Sequence, residues 1–171
     1  MTRLPDASTE GPVAELIRSR RGGNLTPLDR ILLHSPAVAE GWNGLLGAIR
    51  DRSGLADDLR ELAILRVAVL NRAEYEWRAH EPLARAAGLT EEQVESARRT
   101  GIADGLPEPY ELVLRYADAM TTTVTVDGAL FDRLRAVFDE QDIVELTATV
   151  AAYNLVSRFL VALEIGLGGP S

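Results

Sequence analysis

No cysteine occurs in the 171 residues. That excludes a disulfide framework, a thiolate metal site and any redox cycle running on thiols of this chain. Histidine is nearly as scarce: with two in the sequence, imidazole chemistry has to use His34 or His80. Positive charge is in deficit, 18 Lys+Arg against 26 Asp+Glu, for a net charge of −8. Such a surface repels phosphate backbones, so neither nucleic acid nor an anionic membrane is an expected partner. The opening segment MTRLPDASTEGP has no apolar core of the kind a secretory signal needs, and a cytoplasmic location is expected. The most apolar stretch, Ile143 to Leu167, is interrupted by Glu145, Asn154, Arg158 and Glu164. Those side chains are costly in a bilayer, so the stretch reads as a buried helix of a soluble protein. Strand ladders, repeats and low-complexity tracts are also missing.

What the chain does have is apolar residues in helical order. Hydrophobic residues make up 46%, enough at this length for a core without staples. Residues 1–25 read as a flexible lead-in, and 26–171 as one all-α domain of about seven helices. Thr26-Pro27 is a helix start with an N-cap before a first-turn proline. Ser35-Pro36 restarts the chain into a helix over 37–50, where Gly41, Gly44 and Gly47 either admit a close neighbour or weaken the helix. Residues 56–71 form the central helix, because Leu62 to Leu70 is apolar at every position but Arg66. A helix over 73–87 follows, capped by Gly88 and carrying Pro82 in its interior. Thr90 and Gln93 are spaced as a capping box. Pro107 and Pro109 introduce a helix to Thr121, and the β-prone run TTTVTV reads as a connection. Asp127 and Asp139 are N-cap candidates for the last two helices.

Glu76 lies four residues before His80, so the two share a helix face. The pair is either a surface ion pair or part of a site completed by another element. Glu61, at the entry of the central apolar helix, is the candidate third group, as a helix-dipole partner or a buried base. Metal ligation by Glu61, Glu76 and His80 lacks the paired ligand motifs on a second helix, and no metal is expected. Arg66 lies about 140° around the helix from Glu61, which suits pairing with an acid elsewhere better than substrate binding. Trp77 reads as core packing or a subunit contact, and Trp42 as a pocket wall or core filler. Thr147, Asn154 and Arg158 form a thin polar stripe on the last helix, either solvent-facing or a pocket wall with Arg158 as a carboxylate anchor.

The segments Glu61-Leu62-Ala63-Ile64-Leu65-Arg66-Val67-Ala68, Tyr75-Glu76-Trp77-x-x-His80 and Ala84-x-x-Ala87-Gly88-Leu89-Thr90 together resemble the carboxymuconolactone decarboxylase family, which includes the alkylhydroperoxidase D proteins. Tyr153-Asn154-x-x-x-Arg158-Phe159 is similar to its longer members. The resemblance implies an all-α fold with the site on a central helical hairpin, assembled as a homotrimer or homohexamer. In the alkylhydroperoxidase branch a glutamate precedes a C-x-x-C-x-x-x-H motif. Those positions fall here on Glu61, on Ala73 and Glu76 in place of the cysteines, and on His80. The proton-relay pair is therefore kept and the thiols are gone, so hydroperoxide reduction by thiols is not expected.

The decarboxylase branch needs neither thiol nor cofactor, and the resemblance implies a small carboxylated substrate. In that reading His80 is the acid–base group, Glu61 fixes its tautomer, Tyr75 donates to an enolate oxygen and Glu76 is a second acid–base group or an ion-pair partner. Trp42, Asn154 and Arg158 are the substrate-binding candidates. Decarboxylation is the leading reaction and isomerisation by proton shift its variant. The alternatives are a non-catalytic oligomeric ligand-binding protein, or an alkylhydroperoxidase in name alone.

Overall fold

The computed structural model describes residues 2–99, 101 and 105–166. Those residues contain nine α-helices and no strand: α1 Pro12–Arg20, α2 Pro27–Leu32, α3 Pro36–Asp51, α4 Asp57–Leu70, α5 Glu74–Ala86, α6 Glu91–Arg98, α7 Glu108–Asp118, α8 Gly128–Val137 and α9 Glu140–Ala162. The all-α reading holds, with two helices more than expected. The chain forms two compact units, one built from α1 to α3 with the segment from Leu160 onward, the other Gly54–Phe159.

In the first unit a helix stands inside the segment read as a flexible lead-in. Pro12 opens α1 after Gly11, whose φ of 104° few other residues tolerate. Ala14 and Ile17, three residues apart, are buried along α1, which packs against α3. Gly47 serves a close approach: a Cβ there would stand 3.1 Å from Arg20 Cδ, whereas Gly41 and Gly44 face open space. The Arg20 side chain crossing at that point donates from Nε to Asn43 Oδ1. The Thr26 capping box forms with Asp29. His34 is exposed and donates from Nε2 to the Pro5 carbonyl at 2.8 Å.

The second unit is organised around α4, which packs against α5, α6 and α7. Every residue from Arg60 to Ala68 is buried, as expected for a helix apolar nearly all round. Leu62, Ile64, Leu65 and Val67 are fully buried, each stabilising the fold by roughly 1.5–3 kcal/mol. Arg66 is the charge in that run, and it meets both carboxylate oxygens of Asp118 on α7, at 2.5 and 2.8 Å, and the carbonyls of Ala97 and Arg99. Its partner acid thus lies on another helix of the same chain. The α5 helix runs through Pro82 and stops at Gly88, φ 102°.

Thr90 and Gln93 cap α6 reciprocally, and Asp127 Oδ1 and Asp139 Oδ1 accept from Leu130 N and Asp142 N to start α8 and α9. The threonine run is in part helical: Ala119–Thr123 is a π-helical turn continuing α7. Thr122 and Thr123 hydroxyls donate to the carbonyls four residues back, at 2.7 and 2.8 Å. Val124 then takes a left-handed φ of 65° and ends the turn.

Candidate functional site

The α4–α5 hairpin brings a carboxylate from each helix onto the two nitrogens of one imidazole. Glu61 enters from the second turn of α4, and its Oε2 accepts from His80 Nδ1 at 2.7 Å. Glu76, one turn before His80 on α5, places Oε1 3.2 Å from Nε2. The fourth member comes from α9. Tyr153 sets its hydroxyl 3.2 Å from Nε2 and its ring edge-on to the imidazole, centroids 5.1 Å apart. All four are buried: Glu61 and His80 are 4% exposed, Glu76 3% and Tyr153 0%. Beside them Arg60 Nε lies 3.9 Å from Glu61 Oε1.

The electrostatics favour a protonated ring. Burial alone, the largest single influence, pulls the His80 pKa down by disfavouring the imidazolium. The hydrogen bonds and negative charges of Glu61, and after it Glu76, outweigh that penalty and hold the pKa above its usual 6.5. Arg60 is engaged elsewhere as well, its Nη1 lying 2.7 Å from Asp57 Oδ1. With both N–H groups donating, Glu61 fixes one end of the ring, and Glu76 and Tyr153 share the other.

Among the residues singled out from the sequence, Glu61, Glu76 and His80 are thus brought together. The two carboxylates sit on opposite nitrogens and do not converge on one point, and no group of His, Asp and Glu among the described residues is arranged to hold a metal. Tyr75 is half-buried in the first turn of α5, and Trp42 is buried on α3 in the first unit. Asn154 is at a junction: it donates to Thr121 Oγ1 at 2.9 Å and the Val150 carbonyl at 3.0 Å. Its Oδ1 accepts from Asn71 at 3.0 Å and from Arg158. Arg158 is exposed, and its guanidinium also donates to the Asn154 carbonyl. Thr147 meets the Tyr116 hydroxyl at 2.7 Å.

Tyr153 and Arg60 were not legible as site residues. Tyr153 is 73 positions from His80, so no local spacing links them; its place in the similar C-terminal segment was the one signal. Arg60 was hidden by its adjacency to Glu61, since neighbours on a helix do not share a face.

An all-helical protein with a buried carboxylate–imidazole–carboxylate cluster across a central hairpin is what fold and site define. The model of the carboxymuconolactone decarboxylase family matches residues 36–119. The chain is 34% identical over 176 residues to the uncharacterized protein YnjA of Escherichia coli (strain K12), covering 92% of this chain and 87% of that one. It belongs to the carboxymuconolactone decarboxylase family. Its fold is that of the alkylhydroperoxidase AhpD core, seen in an uncharacterized peroxidase-related protein from Ralstonia eutropha JMP134 with a TM-score of 0.77 at 20% identity, over 96% of this chain and 90% of that one. The debrominase Bmp8 is similar in fold, with a TM-score of 0.77 at 19% identity over 96% and 89% of the two chains. That debrominase is also known in complex with 2,3,4-tribromopyrrole.

Proposed function

We propose that this family member is a cofactor-independent acid–base enzyme acting on a small carboxylated or carbonyl-conjugated molecule, with decarboxylation as its reaction and a proton-shifting isomerisation as the nearest variant. The observation that carries the reading is the imidazole gripped at both nitrogens by buried carboxylates, which raise its affinity for a proton above that of a free histidine. In a decarboxylation of this kind the bond to the carboxylate carbon breaks, CO2 leaves, and the electron pair moves into a conjugated carbonyl as an enolate. His80 then supplies the proton that the carbanionic carbon takes up, by way of Glu76 or Tyr153 at its Nε2 end. Glu61 holds the ring orientation and the charge, as a positioning residue. Tyr75, next to Glu76, is assigned the hydrogen bond to the enolate oxygen. Thiol-dependent hydroperoxide reduction has no residue in this sequence to carry it.

The test is CO2 release from carboxymuconolactone and from β-keto acids, run beside a histidine NMR titration. Two histidines give two sets of signals, and a His34 substitution assigns them. His80 is expected to titrate above about 6.5 in the wild type and to move down in Glu61→Gln, while His80→Gln abolishes turnover and leaves the fold intact. A His80 that titrates at the reference value in both proteins would defeat the reading. The same reading places the protein in the cytoplasm as a homo-oligomer. What supports self-association is an apolar face of α9 left open to solvent, on which Val144 is 66% and Leu155 47% exposed.

A further inference from the structure

At the turn from α4 into α5 lies a cavity of about 280 Å³. Its apolar side is Ala68 and Val69 of α4 with Ala73, and Trp77 closes another side. Trp77 follows Glu76 in sequence but projects from a different side of α5, so the cavity shares the hairpin with the cluster and not its lining. Two guanidinium groups line it, those of Arg72 and Arg98. Arg98 lies over the Trp77 ring, its Cζ 3.9 Å from the centroid, and its Nε is 4.0 Å from Glu95 Oε1. Arg72 has no side-chain hydrogen bond and no ion pair among the described residues. The one acid in the lining, Glu74, is paired with Arg78 at 3.2 Å.

The backbone of Arg72 is as informative as its charge. It sits at φ 56°, in the left-handed region that disfavours any residue with a Cβ and that a glycine would occupy freely. An arginine there strains the turn and in return puts an uncompensated guanidinium at the cavity. The wider groove beside the π-helical turn makes a contrast: its arginines are already neutralised, Arg115 by Glu111 at 2.6 Å and Arg133 by Glu108 at 3.1 Å.

We propose that the Arg72–Arg98 cavity binds a small organic carboxylate, the guanidiniums holding the carboxylate and the Ala68, Val69 and Ala73 side receiving a compact apolar body. Arginine suits this role because its planar fork matches a carboxylate and stays charged at any physiological pH. Arg158, the anchor suggested by the sequence, has its guanidinium on Asn154. Identifying the bound carboxylate as part of the substrate rests on the acid–base reading above. In that case the clamp grips a carboxylate that stays on the molecule, since one that leaves as CO2 has to shed its partners.

Isothermal titration at low ionic strength with benzoate and with its uncharged counterpart benzamide tests the site. Benzoate should bind at least about tenfold more tightly than benzamide, and Arg72→Gly and Arg98→Gln should each weaken benzoate by about tenfold. Arg72→Gly relaxes the backbone, so its loss of binding should come with an unchanged or raised melting temperature. Absence of benzoate binding, equal affinity for the two probes, or unchanged affinity in the double variant would overturn the proposal. Benzoate bound through both arginines beside an uncoupled His80 would keep the clamp and defeat the acid–base reading. A coupled His80 in a protein blind to benzoate would do the reverse.

Discussion

The charge on His80 links the cluster to the stability of the protein. In the folded state its pKa stands above 6.5, because Glu61 and Glu76 outweigh the cost of burial. A histidine that binds its proton more tightly when folded contributes stability in full below its unfolded pKa of about 6.5, and that contribution is lost as pH rises through the folded value. Urea unfolding at a series of pH values should therefore show stability falling across that window. His80→Gln should flatten the trend, and a slope that survives the substitution would belong to another group. Tyr153→Phe keeps the edge-on packing and removes the hydroxyl, at an expected cost of about 1 kcal/mol in the same unfolding experiment. At this scale the sequence was partly legible. Glu61 stood out as a carboxylate opening an apolar run, and His80 as one of two imidazoles, four residues after Glu76. Tyr153 did not stand out, because a buried tyrosine in an apolar helix reads as core until the fold shows what its hydroxyl meets.

At the scale of the helices, the local signals set the starts and stops and the polar junctions set the hairpin. The capping residues Thr26, Thr90, Asp127 and Asp139 were readable because an N-cap bonds within its own first turn. The π-helical turn was not: β-branched threonines argue for extended chain, and here the Thr122 and Thr123 hydroxyls bond back to the carbonyls of Asp118 and Ala119 instead. Helix α1 was hidden by the polar residues around it, although Pro12, Ala14 and Ile17 carried its signal. Two junctions cross between helices. Asn154 joins α9 to the α4–α5 turn by accepting from Asn71 at its side-chain oxygen, and to the π-helical turn by donating to Thr121. Asn154→Ala strands those partners, and should cost roughly 2 kcal/mol by equilibrium unfolding. It should also weaken benzoate binding, because Asn71 is the residue before Arg72. Arg66→Ala leaves Asp118 unpaired and takes away a buried cation with four hydrogen bonds. Its expected cost is larger, about 3 kcal/mol or more, with no direct effect on the His80 titration. Similar losses from both variants would mean that the Arg66 pair is screened by solvent on its Asp118 side.

For the molecule as a whole, the proposed self-association sets an apolar face against a repulsive net charge. Val144 and Leu155 lie eleven residues apart on α9, three helical turns, so they project from the same side with Ala151 between them. Exposed apolar side chains aligned along a helix favour contact with a matching surface. The net charge of −8 acts the other way, because every copy repels every other. The two terms separate with salt. At about 0.15 M the Debye length is roughly 8 Å and the long-range repulsion is largely screened, whereas apolar contact does not weaken. Light scattering coupled to size exclusion should then show an assembly that is retained or grows as ionic strength rises from low values. Val144→Glu with Leu155→Glu should give a monomer with unchanged helical content, since both side chains already face water. A wild-type monomer at every concentration and salt, or an assembly indifferent to the double variant, would remove α9 as the contact. Benzoate titration of that monomer then shows whether the Arg72–Arg98 cavity needs the assembly at all. Because both arginines and Trp77 belong to the same chain, affinity should survive dissociation.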